Sequence, residues 1–337
     1  MLSYRISTTR AFARVCVASL GAGLLACEGS KPPAADSTAL AMSADSSAAR
    51  AAAIAAASAA AVPAATEGLK VPESVRYDAA LDAYFISNID GVPSKKDNNG
   101  FIVRVDAANP TAQTVLVRGG EKGVTLNAPK GMVIIGDTLW VSDIDAVRAF
   151  NKNTGAVVAT IEMKKMGAIF LNDVAVGGDG AIYITDTGVR FSDSGEMTHP
   201  GKDRIFAITG RTPSVAFASD SLLSNPNGIA WDDANARFIL APFGSPNISA
   251  WKPGETTVTT IASGPGGFDG LEVLADGRLL VTSWADSSVN IVTGATLTRL
   301  TGGLESPADI GVDTKRMHVA VPLFNQGKVR YLAIPAK

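Results

Sequence analysis

Between residues 73 and 310 one short unit recurs six times. A turn residue leads into an apolar strand, and a Gly- or Asp-marked turn leads into a second apolar strand. The clearest copies are Asn172-Asp173-Val174-Ala175-Val176, Asn227-Gly228-Ile229-Ala230-Trp231 and Asp269-Gly270-Leu271-Glu272-Val273. Further copies begin at Glu73-Ser74-Val75, Lys130-Gly131-Met132 and Ala308-Asp309-Ile310. Their starts lie roughly 40 to 57 residues apart, the spacing of four-stranded blades. One such sheet alone leaves faces and edges uncovered. Radial closure covers the faces and leaves only short edges. The repeat therefore predicts an all-β, six-bladed β-propeller over residues 71–337. A β-sandwich would leave the aligned lead residues unexplained.

Expected second strands include Tyr84-Phe85-Ile86-Ser87, Thr138-Leu139-Trp140-Val141, Ala181-Ile182-Tyr183-Ile184 and Arg278-Leu279-Leu280-Val281. Turn signals such as Gly136-Asp137, Gly178-Asp179-Gly180 and Asp276-Gly277 precede several of them, and 33 glycines suit a turn-rich chain. No amphipathic helix is visible in this region. The longer spacings before Lys130 and Asn227 imply inserted loops, notably from Gly188 to Asp203.

The first 70 residues read differently. Arg5, Arg10 and Arg14 precede an apolar run from Val15 to Ala26, the charged and apolar regions of a secretory signal. That run is too short to span a bilayer as a mature helix. It ends Leu24-Leu25-Ala26-Cys27, which resembles a bacterial lipobox and implies cleavage before a lipid-bearing Cys27. The expectation is a lipoprotein signal peptide over 1–26 and a lipid-attached flexible linker over 27–70. That linker is Ala, Ser and Pro with little else and cannot build a core. Membrane contact would then run through Cys27, on the periplasmic or outer-membrane face of a bacterial envelope.

A net charge of −2 with no basic stripe argues against a nucleic-acid partner. Both cysteines, Cys16 and Cys27, precede the repeats, so neither structural disulfides nor thiol chemistry are available to the body. With only two histidines, His199 and His318, a His-rich zinc site is disfavoured.

In a ring of blades the first strand is innermost, so the lead residues of all six copies meet at one rim of a central channel. They are Glu73, Lys130, Asn172, Asn227, Asp269 and Ala308. Taken singly, Asn or Asp before Gly is an ordinary turn residue. As a column, Glu73, Asn172, Asn227 and Asp269 form an oxygen-only set that suits Ca²⁺ or another hard divalent ion. Strand two is antiparallel to strand one and returns to the same rim. This predicts Asn88, Asp143, Asp186 and Trp284 around the mouth, beside Lys130, as substrate-binding residues.

These motifs resemble the SMP-30/gluconolactonase/LRE-like family. The similarity is carried by Glu73-Ser74, Asn172-Asp173, Asn227-Gly228-Ile229 and Asp269-Gly270-Leu271 and runs from about Val71 to Pro335. It implies a divalent cation, often calcium, held on the axis by Glu73, Asn172, Asn227 and Asp269. It also implies hydrolysis of a lactone or related ester, with the cation polarising the carbonyl and Asp269 helping to activate water.

Two departures stand out. Sugar-lactone members have an arginine two positions before the first asparagine, whereas Phe170 stands here, against a highly hydroxylated substrate. Lys130 occupies the ring itself. Either it pairs with Glu73 or an exposed acid, or its ammonium fills part of the metal's role. The functional alternatives are therefore an envelope hydrolase and a non-catalytic propeller that binds a small ligand or protein at the rim. A quinoprotein-like dehydrogenase is a distant third. A monomer is expected.

Overall fold

The computed structural model describes residues 62–337. The expected signal peptide, Cys27 and most of the expected linker lie outside the described residues. From Pro72 onward the chain forms six antiparallel sheets, five of four strands and one of three, with one further two-stranded ribbon. The all-β, six-bladed expectation holds. Helix among the described residues is one turn, Asp220–Leu223, and three short 3-10 turns.

The first strands are Pro72–Asp78, Pro129–Ile135, Leu171–Val176, Pro226–Asp232, Phe268–Val273 and Gly311–Asp313. Each pairs with a second strand: Ala83–Asn88, Thr138–Asp143, Ile182–Asp186, Arg237–Pro242, Leu279–Ser283 and His318–Leu323. The second strands of blades one, three, five and six are buried at every position, as expected of strands covered on both faces. Outer strands such as Gln113–Arg118 and Thr296–Thr301 are largely exposed. Apolar side chains fill the gaps between blades. Between blades three and four, the Tyr183 and Phe238 rings pack tilted with centroids 4.5 Å apart, and Trp251 completes the cluster.

All six blades share one register. The residue before the lead pairs with the end of strand two: Pro72 with Asn88, Pro129 with Asp143, Leu171 with Asp186, Pro226 with Pro242, Phe268 with Ser283 and Pro307 with Leu323. In the first five blades a β-bulge follows at once. A bulge sets two residues against one and re-aims a side chain. Here it lets the lead residue face the channel without shifting the rest of the strand.

The glycines after the lead serve a different purpose from the one their sequence suggests. Asn227-Gly228 and Asp269-Gly270 lie inside strands, not in turns. A Cβ on Gly228 would stand 2.3 Å from the Asp269 carbonyl oxygen, and one on Gly270 would stand 2.5 Å from the Ile310 amide nitrogen. Glycine is required because the neighbouring blade approaches that closely.

Hydroxyls opposite the bulges tie blade to blade. Thr185 Oγ1 accepts from the Asp173 amide at 3.0 Å and donates to the Asn227 carbonyl of the next blade at 2.7 Å. Thr282 Oγ1 does the same between Gly270 and Ala308, at 2.7 and 3.1 Å. Ser142 Oγ donates to the Asn172 carbonyl. The carbonyls of the lead residues are thus fixed by the preceding blade.

Closure uses the beginning of the folded body. Thr66 exchanges two backbone hydrogen bonds with Val329, at 3.0 and 2.9 Å, on the outer strand of the three-stranded sixth blade. Its hydroxyl lies 2.8 Å from that of Tyr331. The pairing of the sixth blade thus takes in Thr66, ahead of Pro72.

Candidate metal and ligand site

Glu73, Lys130, Asn172, Asn227 and Asp269 line one cavity of about 350 Å³ at the rim of the channel. The bulges place them there from five successive blades. All are at least nine-tenths buried. Ala308, sixth in the column, is buried and adds no polar atom.

Buried polar atoms almost always have partners, yet three oxygens of this set have none: Glu73 Oε2, Asn227 Oδ1 and Asp269 Oδ1. Asn172 directs its amide nitrogen to Thr187 Oγ1 at 3.0 Å, which leaves its carbonyl oxygen for the cavity. Burial raises the Glu73 carboxyl well above its usual range, the nearby Asp269 and Asp309 carboxylates raise it further, and Lys130 opposes them. Burial likewise raises Asp269, with Asp309 adding to it and the Trp284 indole and Asn227 amide opposing. Two desolvated carboxylates and two amides with free oxygens suit a hard divalent cation, which would supply the missing partners. Among the described residues there is no cluster of three or more His, Cys, Asp or Glu side chains placed for a metal, so a cation here needs the amide oxygens as well.

Lys130 has two contacts in the cavity wall. Its Nζ donates to the Ala128 carbonyl at 3.1 Å and lies 4.1 Å from the centre of the Phe170 ring. It forms no direct ion pair with Glu73 or with an exposed acid among the described residues. Burial pushes its ammonium down to about 8, against the pull of the Glu73, Asp143 and Asp186 carboxylates. The cation-π contact and the carbonyl draw the ammonium towards the wall.

Below the rim a second layer crosses the channel. Arg76 pairs with Asp173 at 2.9 Å and Asp309 at 3.0 Å, and donates to the Met132 and Ile310 carbonyls, both at 2.6 Å. Burial would lower this guanidinium, but Asp309, Asp173 and Glu272 together hold it well above its ordinary range. Arg76 thereby links blades one, two, three and six.

Three of the residues expected at the mouth serve the scaffold. Asp143 accepts from the Asn127 and Ala128 amides and pairs with Arg148. Asp186 accepts from the Phe170 amide at 2.8 Å and from those of Ile169 and Gly188 at 3.2 Å. Asn88 accepts from the Lys70 amide at 2.9 Å and donates to the Ile86 carbonyl. All three are fully buried, and none lines the cavity. Their short polar side chains pin the loops behind the rim.

Phe170 and Trp284 do line the cavity. They are joined by residues the sequence reading did not single out, chiefly Phe191, Phe243 and Phe324. Phe243, Trp284 and Phe324 each follow the last residue of a second strand, so one column, read around all the blades, would have found them. Phe191 could not be found that way. It sits on the ribbon Arg190–Phe191 and Met197–Thr198, inserted within blade three, which Ser94 of blade one contacts through the Phe191 backbone.

The SMP-30/Gluconolactonase/LRE-like region matches residues 71–310. No curated protein sequence matches the chain. Among solved structures, a calcium-binding regucalcin from Agrobacterium tumefaciens superposes with a TM-score of 0.62 at 14% identity, over 81% of this chain and 94% of that one. A luciferin-regenerating enzyme gives 0.59 at 10% identity, over 80% and 94%. Virginiamycin B lyase from Staphylococcus aureus gives 0.54 at 13% identity, over 81% and 99%. At such identities these structures speak for the fold, while the match over residues 71–310 speaks for descent: the chain belongs to the SMP-30/gluconolactonase/LRE-like family.

Proposed function

We propose that this protein is a divalent-cation-dependent hydrolase of a lactone or related ester. One observation carries the reading: buried, unpartnered oxygens of Glu73, Asn227 and Asp269 line the same cavity as Asn172. When bound, a cation such as Ca²⁺ would polarise the substrate carbonyl. The Asp269 carboxylate helps to activate water as general base. It takes a proton from water as the water oxygen joins the acyl carbon. The acyl C–O bond breaks, and the proton passes to the departing alkoxide. The inter-blade hydroxyls hold the ligand side chains in place by fixing their backbones. Family membership and neighbours such as regucalcin, the luciferin-regenerating enzyme and the lyase support a hydrolase- or lyase-type propeller.

The test is a panel of lactones and esters assayed with calcium and with chelator, for wild type and Asp269→Asn. We expect loss of about 100-fold or more in either case. Activity that survives both treatments rejects the mechanism. Ligand capture without turnover is the second reading, favoured by the Lys130 ammonium beside the axial oxygens.

We further propose that the protein is a monomer tethered through lipid on Cys27 to a bacterial envelope, where it meets a small-molecule substrate. The Arg-rich start and the Leu24-Leu25-Ala26-Cys27 run support this. Among the described residues no helix is long and apolar enough to cross a membrane. Fractionation of Cys27→Ser cells should move the protein from membrane to soluble fractions.

A further inference from the structure

The walls of the cavity differ from its floor. The floor carries the axial oxygens, and the Lys130 ammonium is held against the Phe170 ring. On one wall Phe170 and Phe191 lie with ring centroids 5.6 Å apart. On another, Trp284 is flanked by Phe243 at 5.7 Å and Phe324 at 5.5 Å. Of the polar wall groups, the Trp284 indole N–H has no partner, while Thr187 and Asn325 are engaged. Thr187 Oγ1 donates to the Pro226 carbonyl at 2.8 Å and accepts from Asn172. The exposed Asn325 gives its amide nitrogen to Ser306 Oγ at 2.7 Å.

We infer that this site selects a compact, uncharged lactone or ester bearing an aromatic or short alkyl group, and rejects polyhydroxylated sugar lactones. The reacting bond rests on the hydrolase reading above; the apolar group rests on the walls alone. A volume of about 350 Å³ lies at the low end of ligand cavities, hence a compact ligand. Each methylene slid between aromatic walls should strengthen binding about 4-fold until the cavity is full. Each sugar hydroxyl buried there without a partner should weaken it by roughly 5- to 150-fold. The carbonyl end points to the floor, where the unpartnered oxygens of Glu73, Asn227 and Asp269 would hold the cation that draws it.

Lactams separate binding from turnover because they resist hydrolysis. Calorimetry of the purified protein with calcium would compare δ-valerolactams bearing methyl, propyl, pentyl or phenyl groups with a polyhydroxylated δ-lactam. The matching lactones would be assayed for hydrolysis. The expected result is affinity rising with chain length and weakest for the polyhydroxylated compound. Phe191→Ala, on the ribbon outside the six sheets, should flatten that gradient while circular dichroism stays unchanged. A flat or inverted gradient, or one that Phe191→Ala leaves intact, overturns the inference. If the lactam gradient appears but no lactone is hydrolysed, the hydrolase reading fails and the apolar specificity stands.

Discussion

Buried acids of one kind perform opposite tasks around this channel. Asp186 is surrounded by backbone amides from Phe170, Ile169 and Gly188, whereas Asp269 Oδ1 meets no donor. Removing the first exposes amides that nothing else satisfies. Asp186→Ala should cost about 2–5 kcal/mol of stability in urea unfolding, with calcium stoichiometry unchanged in protein that still folds. Removing the charge of the second relieves desolvation, so Asp269→Asn should raise the unfolding midpoint of the calcium-free protein while activity falls. Sites held in unfavourable environments for function behave in this way. Both aspartates were legible in the sequence as rim residues. Which one was free was not, because that depends on backbone amides brought in from a separate loop. The Lys130 ammonium is a similar case: its place in the column was legible, but its turn towards Phe170 was set by packing.

At the scale of the element, the recurring bulge explains why a column of lead residues could be read at all. A shared register sends the same position of every first strand to the axis. The hydroxyls opposite the bulge then hold neighbouring blades together. Thr185→Val keeps the shape but strips the Asn227 carbonyl and the Asp173 amide of their partner. We expect a loss of about 1–3 kcal/mol, together with weaker calcium binding as Asn227 loosens. Unchanged calcium affinity in titration calorimetry would show that the hydroxyl serves stability alone. The glycines of Asn227-Gly228 and Asp269-Gly270 looked like turn signals because the same residue type serves both tight turns and close backbone approach. Their purpose emerged only with the neighbouring blade in place.

Across the whole molecule the channel gathers more acid than base: Glu73, Asp173, Asp269, Glu272 and Asp309 against Arg76 and Lys130. Glu272, deeper than the rim, gives this a pH signature. Burial pushes it up to about 7, with Arg76 opposing and Asp309 adding. A carboxyl raised in this way binds its proton more tightly folded than unfolded. Its contribution is therefore most favourable below its ordinary value and is lost as pH rises towards 7. Glu272→Gln should remove about 1–3 kcal/mol of the stability decline between about pH 4.5 and 7. Equal slopes for both proteins in denaturant melts at several pH values would refute this. Breaking the hub itself, with Arg76→Leu, should cost about 3–5 kcal/mol, since it leaves the Asp173 and Asp309 carboxylates buried without their partner.

By itself the sequence determined the six-bladed ring, the family and four oxygen-bearing residues that line one cavity. Those depend on a period and a register, and both repeat along the chain. The tertiary structure alone decided which polar atoms stay unpartnered, where Lys130 turns, and that aromatic rings from four blades wall the cavity. Each of these depends on contacts between segments far apart in sequence, and no local pattern encodes the distance across a channel.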